Sequence, residues 1–168
     1  MKNNHNRKRF FLEVVKRFEF NSKFQSMSVI VRNNIDDSFR FYIKGAPEKI
    51  IQLCYENSIP DLFNETLLLH TQGGLRVLAC ATKLLPHMDK EEYEKDDRSS
   101  YEKNLTFLGF IIFRNKLKRD TKTEIQNLNE SGCKIVMATG DNPFTAISVA
   151  KECGLLKYDC NVFLCIFI

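Results

Sequence analysis

Lys134 to Leu155 reads KIVMATGDNPFTAISVAKECGL, and the way this stretch is parsed decides the fold class. Lys134 to Ala138 is a short apolar, β-branched run of the kind that forms a buried parallel strand. Thr139-Gly140-Asp141-Asn142-Pro143 then reads as a turn, with Gly140 free to take a positive φ, Asn142 placed to N-cap and Pro143 suited to the first helical position. A helix follows with Phe144, Ile147 and Ala150 on one side, and Gly154 is placed to end it. A hydroxyl and a carboxylate thus sit between the carboxyl end of a strand and the amino end of a helix. Open α/β sheets bind ligands at such points, where backbone N–H groups and the helix dipole favour phosphate. Taken alone, Thr139-Gly140-Asp141 is weak evidence of a site, because a turn of this composition often just closes a strand.

Upstream of this stretch, Leu105 to Phe113 is almost wholly apolar and reads as a central strand. Thr121-Lys122-Thr123-Glu124 has the capping-box pattern for a helix through Ser131, with Gly132 as its stop. Strand, helix, strand, helix from 105 to 154 predicts a right-handed βαβ crossover. Further back, Ser26 to Arg32 and Phe39 to Lys44 alternate apolar and polar residues around the turn Asn33-Asn34-Ile35-Asp36-Asp37, which predicts an antiparallel hairpin with one buried face. Pro47 begins a short helix through Cys54. Asp61 to Gln72 has helical spacing closed by Gly73-Gly74, and Leu75 to Leu84 is another strand.

At 168 residues the chain can bury roughly 70% of its unfolded surface, enough for one ordinary domain or two small ones. A composition of 43% hydrophobic and 27% charged residues excludes a disordered or fibrous chain. The net charge of +4 belongs to the first 20 residues, which hold six Lys/Arg against two Glu; the remainder is neutral. The stretch MKNNHNRKRF lacks aromatic interleaving, so it reads as a solvated tail, not a nucleic-acid contact. Neither is it a secretory signal, because no apolar segment follows it. Six scattered cysteines without a CxxC pair, and three isolated histidines, read as reduced thiols with no zinc site. His87 to Asn104 carries seven acidic and four basic residues and predicts an exposed connector. The final CNVFLCIFI is apolar but shorter than the roughly 20 residues that a membrane span needs.

Four stretches occur in an order that has meaning together: Phe20 with Met27-Ser28-Val29, Lys44-Gly45-Ala46-Pro47-Glu48, Gly74-Leu75-Arg76-Val77-Leu78-Ala79, and Thr139-Gly140-Asp141-Asn142 with Thr145-Ala146. In these the chain resembles the cytoplasmic part of P-type ATPases, pumps that pass phosphate through an aspartyl intermediate. Asn115-Lys116-Leu117-Lys118 and the wording TAISVAKECGL are similar to the type V group, which moves cations or polyamine-like substrates. The resemblance implies an α/β chain: a nucleotide-binding domain with an antiparallel sheet over 17–86, after a basic disordered tail at 1–16. A charged connector at 87–104 would follow, then a partial Rossmann-like, haloacid dehalogenase-like phosphorylation domain over 105–157 and an apolar tail at 158–168.

The same resemblance implies ATP and Mg²⁺ as ligands. Phe20 is similar to the platform on which adenine stacks, with Met27 as a polarizable wall. Lys44 resembles the pocket lysine, Gly45 would let the backbone approach the nucleotide, and Arg76 resembles the phosphate clamp. Thr139, Gly140 and Asp141 would support the phosphoryl group, Asp141 lying near Mg²⁺, and Asn115 would add a hydrogen bond. Ser22 departs from the pattern, standing where many ion pumps carry a basic residue. No Asp-Lys-Thr-Gly-Thr motif and no Gly-Asp-Gly-x-Asn-Asp stretch occurs in the sequence, nor a Rossmann glycine pattern or Walker loop. The expectation is therefore a fragment on the cytosolic face of a multi-pass pump of an internal membrane. It would bind ATP without hydrolysing it, and its partners would be the pump's membrane and actuator domains. A stand-alone regulatory nucleotide-binding module and a soluble haloacid dehalogenase-like phosphatase are the alternatives.

Overall fold

The alternation of apolar and polar residues is realised as a sheet in a computed structural model that describes residues 10–87, 93, 95, 97–163 and 165. Its first three strands are β1 (Leu12–Asn21), β2 (Ser26–Asn33) and β3 (Phe39–Gly45). Two short helical turns follow: α1 (Pro47–Ile50), with Pro47 at its first position, and a 3₁₀ turn at Ile51–Leu53. Helix α2 spans Phe63–Gln72, and β4 spans Arg76–Leu85. A 3₁₀ turn at Arg98–Ser100 precedes β5 (Thr106–Phe113), and helices α3 (Thr121–Glu130) and α4 (Pro143–Glu152) complete the chain. The class is α/β, with the five strands in one sheet in the order β1-β2-β3-β4-β5. Neighbouring strands from β1 to β4 run antiparallel.

Two compact units divide the chain, residues 1–60 with 78–111 and residues 61–77 with 112–168. In the first, one sheet face carries Ile30 from β2, Phe39, Phe41 and Ile43 from β3, and Ala79, Ala81 and Leu85 from β4, all buried. Ile50, Tyr93, Tyr101 and Leu105 close over them in the same core. Leu105 is tied down by its backbone: its N–H donates to the Leu53 carbonyl at 2.9 Å, and its own carbonyl accepts from Tyr55 N–H at 2.8 Å.

The charged segment before β5 differs from the exposed connector that its composition suggests. Tyr93 is completely buried, and its ring stacks on Phe39 at 4.9 Å between centroids. Tyr101 stacks on Phe41 at 5.8 Å. A composition average hides two aromatic anchors eight positions apart, and such anchors decide where a polar segment lies. The rest of that segment at 88–92, 94 and 96 lies outside the described residues, as do residues 1–9 of the basic tail and 164 and 166–168 of the apolar tail. Leu12 to Lys16, expected within the tail, instead open β1, because Val14 and Glu13 find ladder partners in Val31 and Arg32.

The second unit is helical where the sequence predicts helices. In α4 the Asn142 side chain caps by accepting from Phe144 N–H at 3.0 Å, Pro143 stands in the first turn, and Gly154 follows the helix at φ +82°. Gly132 likewise follows α3 at φ +75°. The capping box at Thr121 does not form. Asp120 is the N-cap residue, and at φ −87°, ψ −12° its side chain makes no cap hydrogen bond.

The larger departure is Lys134 to Ala138, which is irregular and forms no strand. Val136 is 86% exposed. Strand propensity is realised only against a ladder partner, and among the described residues no strand pairs with this segment.

Phe41→Ala should therefore cost about 3–5 kcal/mol of stability in urea denaturation, as a large side chain lost from a closed core, whereas Val136→Ala should change it by less than about 0.5 kcal/mol. Thiol reactivity gives an independent check. Burial pushes the Cys54 thiol up to about 11, so its thiolate fraction at pH 8 is small. Iodoacetamide at that pH should label exposed Cys133 well before Cys54, and mass spectrometry of the peptides reads the order.

Candidate functional site

The ladder between β2 and β3 runs through seven consecutive pairs without a shift. It sets Met27 directly opposite Lys44, and the β3–β4 ladder continues the row from Lys44 to Cys80. Their chain neighbours Ser26, Ser28, Ile43, Ala79 and Ala81 are buried. By the strict alternation of a strand, Met27, Lys44 and Cys80 therefore occupy the other face. Burial pushes the Cys80 thiol up, and the positive charge of Lys44 opposes that rise, as expected of groups facing each other across a ladder.

On the β1 side the row is extended by an irregularity. Phe18 pairs with Ser28 and Asn21 with Ser26, so Glu19 and Phe20 together oppose Met27 alone. Two residues against one is a β-bulge, which re-aims a side chain at a sheet edge. Phe20 is 64% exposed, which leaves its ring accessible. Thioether and ammonium thus share one row of the sheet's outer face, and the bulge that opposes Met27 carries the exposed aromatic ring.

Gly45 has a structural task. A Cβ built there lies 2.5 Å from the Gln25 carbonyl oxygen and 2.7 Å from Ser26 Cβ. The β1–β2 turn crosses the end of β3 at that point, and Ala46 N–H donates to the same Gln25 carbonyl at 3.0 Å. What demands a glycine is this turn.

In the second unit, two motifs 65 residues apart in sequence are stitched together. Arg76 Nε lies 3.4 Å from Asp141 Oδ1. Thr145 is buried, and its Oγ1 donates to the Leu75 carbonyl at 3.0 Å. Gly74, at φ +75°, leaves room for Ser148, whose Oγ lies 2.5 Å from where a Cβ would stand. The resemblance assigns Arg76 to the nucleotide-binding domain and Asp141 to the phosphorylation domain, and does not pair them. Thr139 Oγ1 accepts from Asp141 N–H at 3.1 Å, which fixes the turn, and Thr139 and Gly140 are exposed. Asn115 is exposed on the irregular segment after β5.

Phe20, Met27, Lys44 and Gly45 thus belong to the first unit, and Arg76, Asn115, Thr139, Gly140 and Asp141 to the second. For Mg²⁺ the fit is poor. Asp141 is already paired with a guanidinium, and among the described residues no three His, Cys, Asp or Glu side chains converge as a metal site.

The sequence has known relatives. The profile of the P-type ATPase cytoplasmic domain N matches residues 1–120. The chain belongs to the P-type ATPases. It is 46% identical over 147 residues to a vacuolar cation-transporting ATPase of Saccharomyces cerevisiae, an alignment covering 88% of this chain and 10% of that protein. A polyamine-transporting ATPase of Mus musculus is 38% identical over 144 residues, with 85% of this chain and 12% of that protein covered. The endoplasmic reticulum transmembrane helix translocase of Saccharomyces cerevisiae is 40% identical over 145 residues, covering 86% and 12%. The P-type ATPase chain described here spans about a tenth of the length of these relatives. It resembles the cytoplasmic domain of type V cation and polyamine pumps, and none of its described helices is long and apolar enough to cross a membrane.

The packing at Gly45 makes a prediction that needs no ligand. Gly45→Ala should lower stability by about 1–3 kcal/mol, since the Gln25 and Ser26 backbone must move. Thermal unfolding without nucleotide measures it; an unchanged midpoint would return Gly45 to a role in ligand approach.

Proposed function

We propose that this chain is the ATP-contacting portion of a type V P-type ATPase. The observation that carries the reading is the outer-face row Phe20–Met27–Lys44, held by an unshifted ladder and a bulge, in a chain of this family. Adenine stacks on the exposed Phe20 ring, where a base of any type finds a flat π surface, while the Met27 thioether fills the edge. The Lys44 ammonium attracts the nucleotide's negative charge. Within the second unit, taken by itself, the planar guanidinium of Arg76 suits phosphate oxygens, which it would bind in exchange for part of its contact with Asp141.

Thr139 and the backbone at Gly140 orient a phosphoryl group on the second unit, which we read as the haloacid dehalogenase-like part of the pump. Asn115 offers an uncharged hydrogen bond. Asp141 would lie near Mg²⁺ without holding it, and the ion would neutralise phosphate charge when it accompanies the nucleotide. In the complete pump the remaining cytoplasmic and membrane parts supply the phosphorylated aspartate and the transport path. That pump moves a cation or polyamine across an internal membrane, with this portion on its cytosolic side.

Titration of the chain with a fluorescent ATP analogue, displaced by ATP, tests the reading. Phe20→Ala should weaken binding about tenfold, within the range of a lost base–aromatic stack, and Lys44→Ala should weaken it with a stronger dependence on salt in the parent than in the variant. Phosphate release should not exceed background. Equal affinity in parent and Phe20→Ala, or no binding by the parent, would remove the proposal.

A further inference from the structure

We infer that Arg98 is a positioning residue for the adenine platform, a role that rests on the nucleotide reading above and that nothing in the sequence motifs assigns to it. Arg98 lies outside all four motifs, in the charged segment before β5. Its side chain is nevertheless only 10% exposed, and that of Glu102, one helical turn on, 8%. Taking a guanidinium and a carboxylate out of water costs several kcal/mol per ion unless every donor and acceptor is met. Here no buried side-chain N or O among the described residues lacks a partner, and one of the partners of Arg98 is the backbone of the bulge.

Arg98 Nη2 donates to the Ser26 carbonyl at 2.9 Å and to Ser26 Oγ at 2.7 Å, and Nη1 donates to the Glu19 carbonyl at 3.3 Å. Nε donates to Glu102 Oε1, which also accepts from Ser28 Oγ at 3.3 Å. The guanidinium carbon sits 4.9 Å from the centre of the Phe24 ring. One planar group thus grips Glu19 on β1, Phe24 in the β1–β2 turn and Ser26 on β2. Glu19 and Phe20 are the two bulge residues, and Ser26 immediately precedes Met27.

A bulge interrupts the ladder, so its residues are not held by strand pairing in the ordinary way. Arg98 supplies the missing restraint from the core side. Through Glu19 and Ser26 it fixes the spacing of Phe20 and Met27 on the opposite face, and the platform is preformed instead of being ordered by the ligand. A lysine in its place keeps the charge but cannot present a planar fork to two carbonyls and a carboxylate at once.

The test is a double-mutant cycle on the full 168-residue chain with the fluorescent ATP analogue, read well below each variant's unfolding midpoint. Arg98→Lys should weaken ATP binding about tenfold, a loss typical of slight misplacement by a residue away from the ligand. Displacement by tripolyphosphate, which has no base, should be unchanged. In a Phe20→Ala background Arg98→Lys should add less than about twofold, because the platform it positions is gone. Should Arg98→Lys fail to fold, Glu102→Gln takes its place, with an expected loss of about threefold in ATP affinity.

Unchanged ATP affinity in whichever variant is read would overturn the inference. So would equal losses for ATP and tripolyphosphate, or full additivity with Phe20→Ala, each of which means general loosening. No binding by the parent chain would instead bring down the nucleotide reading, and this inference with it. Parent binding with a silent Arg98 variant removes the inference alone.

Discussion

The backbone register between β2 and β3 is the constraint on which the rest of the first unit depends. Seven pairs run from Ser26–Gly45 to Arg32–Phe39 without a shift. Because side chains alternate with a period of two, sliding one strand by a single residue would send Phe41 and Ile43 to the surface and Lys44 into the core. The register is held at one end by the Asn33–Ser38 turn, where Asn33 N–H donates to the Ser38 carbonyl at 2.9 Å and Asp37 N–H to the Asn33 carbonyl at 3.0 Å. At the other end Gly45 admits the Gln25 carbonyl. Met27 faces Lys44 because both ends are pinned. The burial of the core and the assembly of the outer-face row are one consequence of that register.

The segment before β5 shows how charge can serve a core. Its aromatic residues Tyr93 and Tyr101 cover Phe39 and Phe41, and its ion pair Arg98–Glu102 reaches under the β1–β2 turn. Replacing such a pair by apolar groups can be neutral or even stabilising, so its worth lies in specificity. A guanidinium has donors at fixed angles, and only one arrangement of the Glu19 and Ser26 carbonyls satisfies them. An apolar side chain of the same volume would tolerate several.

In the second unit the contacts of Gly74, Leu75 and Arg76 with α4 and the turn before it are of three kinds: a charge pair to Asp141 in the turn, a buried hydroxyl on a carbonyl and a close approach at glycine. The hydroxyl and the glycine are buried or sterically exacting, so they set geometry. The Arg76–Asp141 pair is partly exposed, and surface pairs of this sort are worth about 0–1 kcal/mol. It is accordingly the contact that can be given up at low cost when Arg76 finds a stronger anionic partner.

Local elements were legible in the sequence because their causes are local. The β2–β3 hairpin follows from alternation around a turn of Asn and Asp, α4 from Asn142, Pro143 and Gly154, and α2 from its spacing and the glycines after it. The residues Phe20, Met27 and Lys44 could be nominated from their order along the chain. What tertiary structure alone decided is which elements pair. Lys134 to Ala138 has the composition of a strand, yet pairing is a property of two segments, and among the described residues none is laddered to it. The bulge at Glu19–Phe20 depends on where β1 meets β2, and no feature of either strand specifies it. Arg98 and Glu102 stand in a stretch whose average is hydrophilic. The packing of Tyr93 and Tyr101 brings the Arg98 guanidinium to the Glu19 and Ser26 carbonyls and the Glu102 carboxylate to that guanidinium, since burial is set by the whole fold and not by any residue's own polarity.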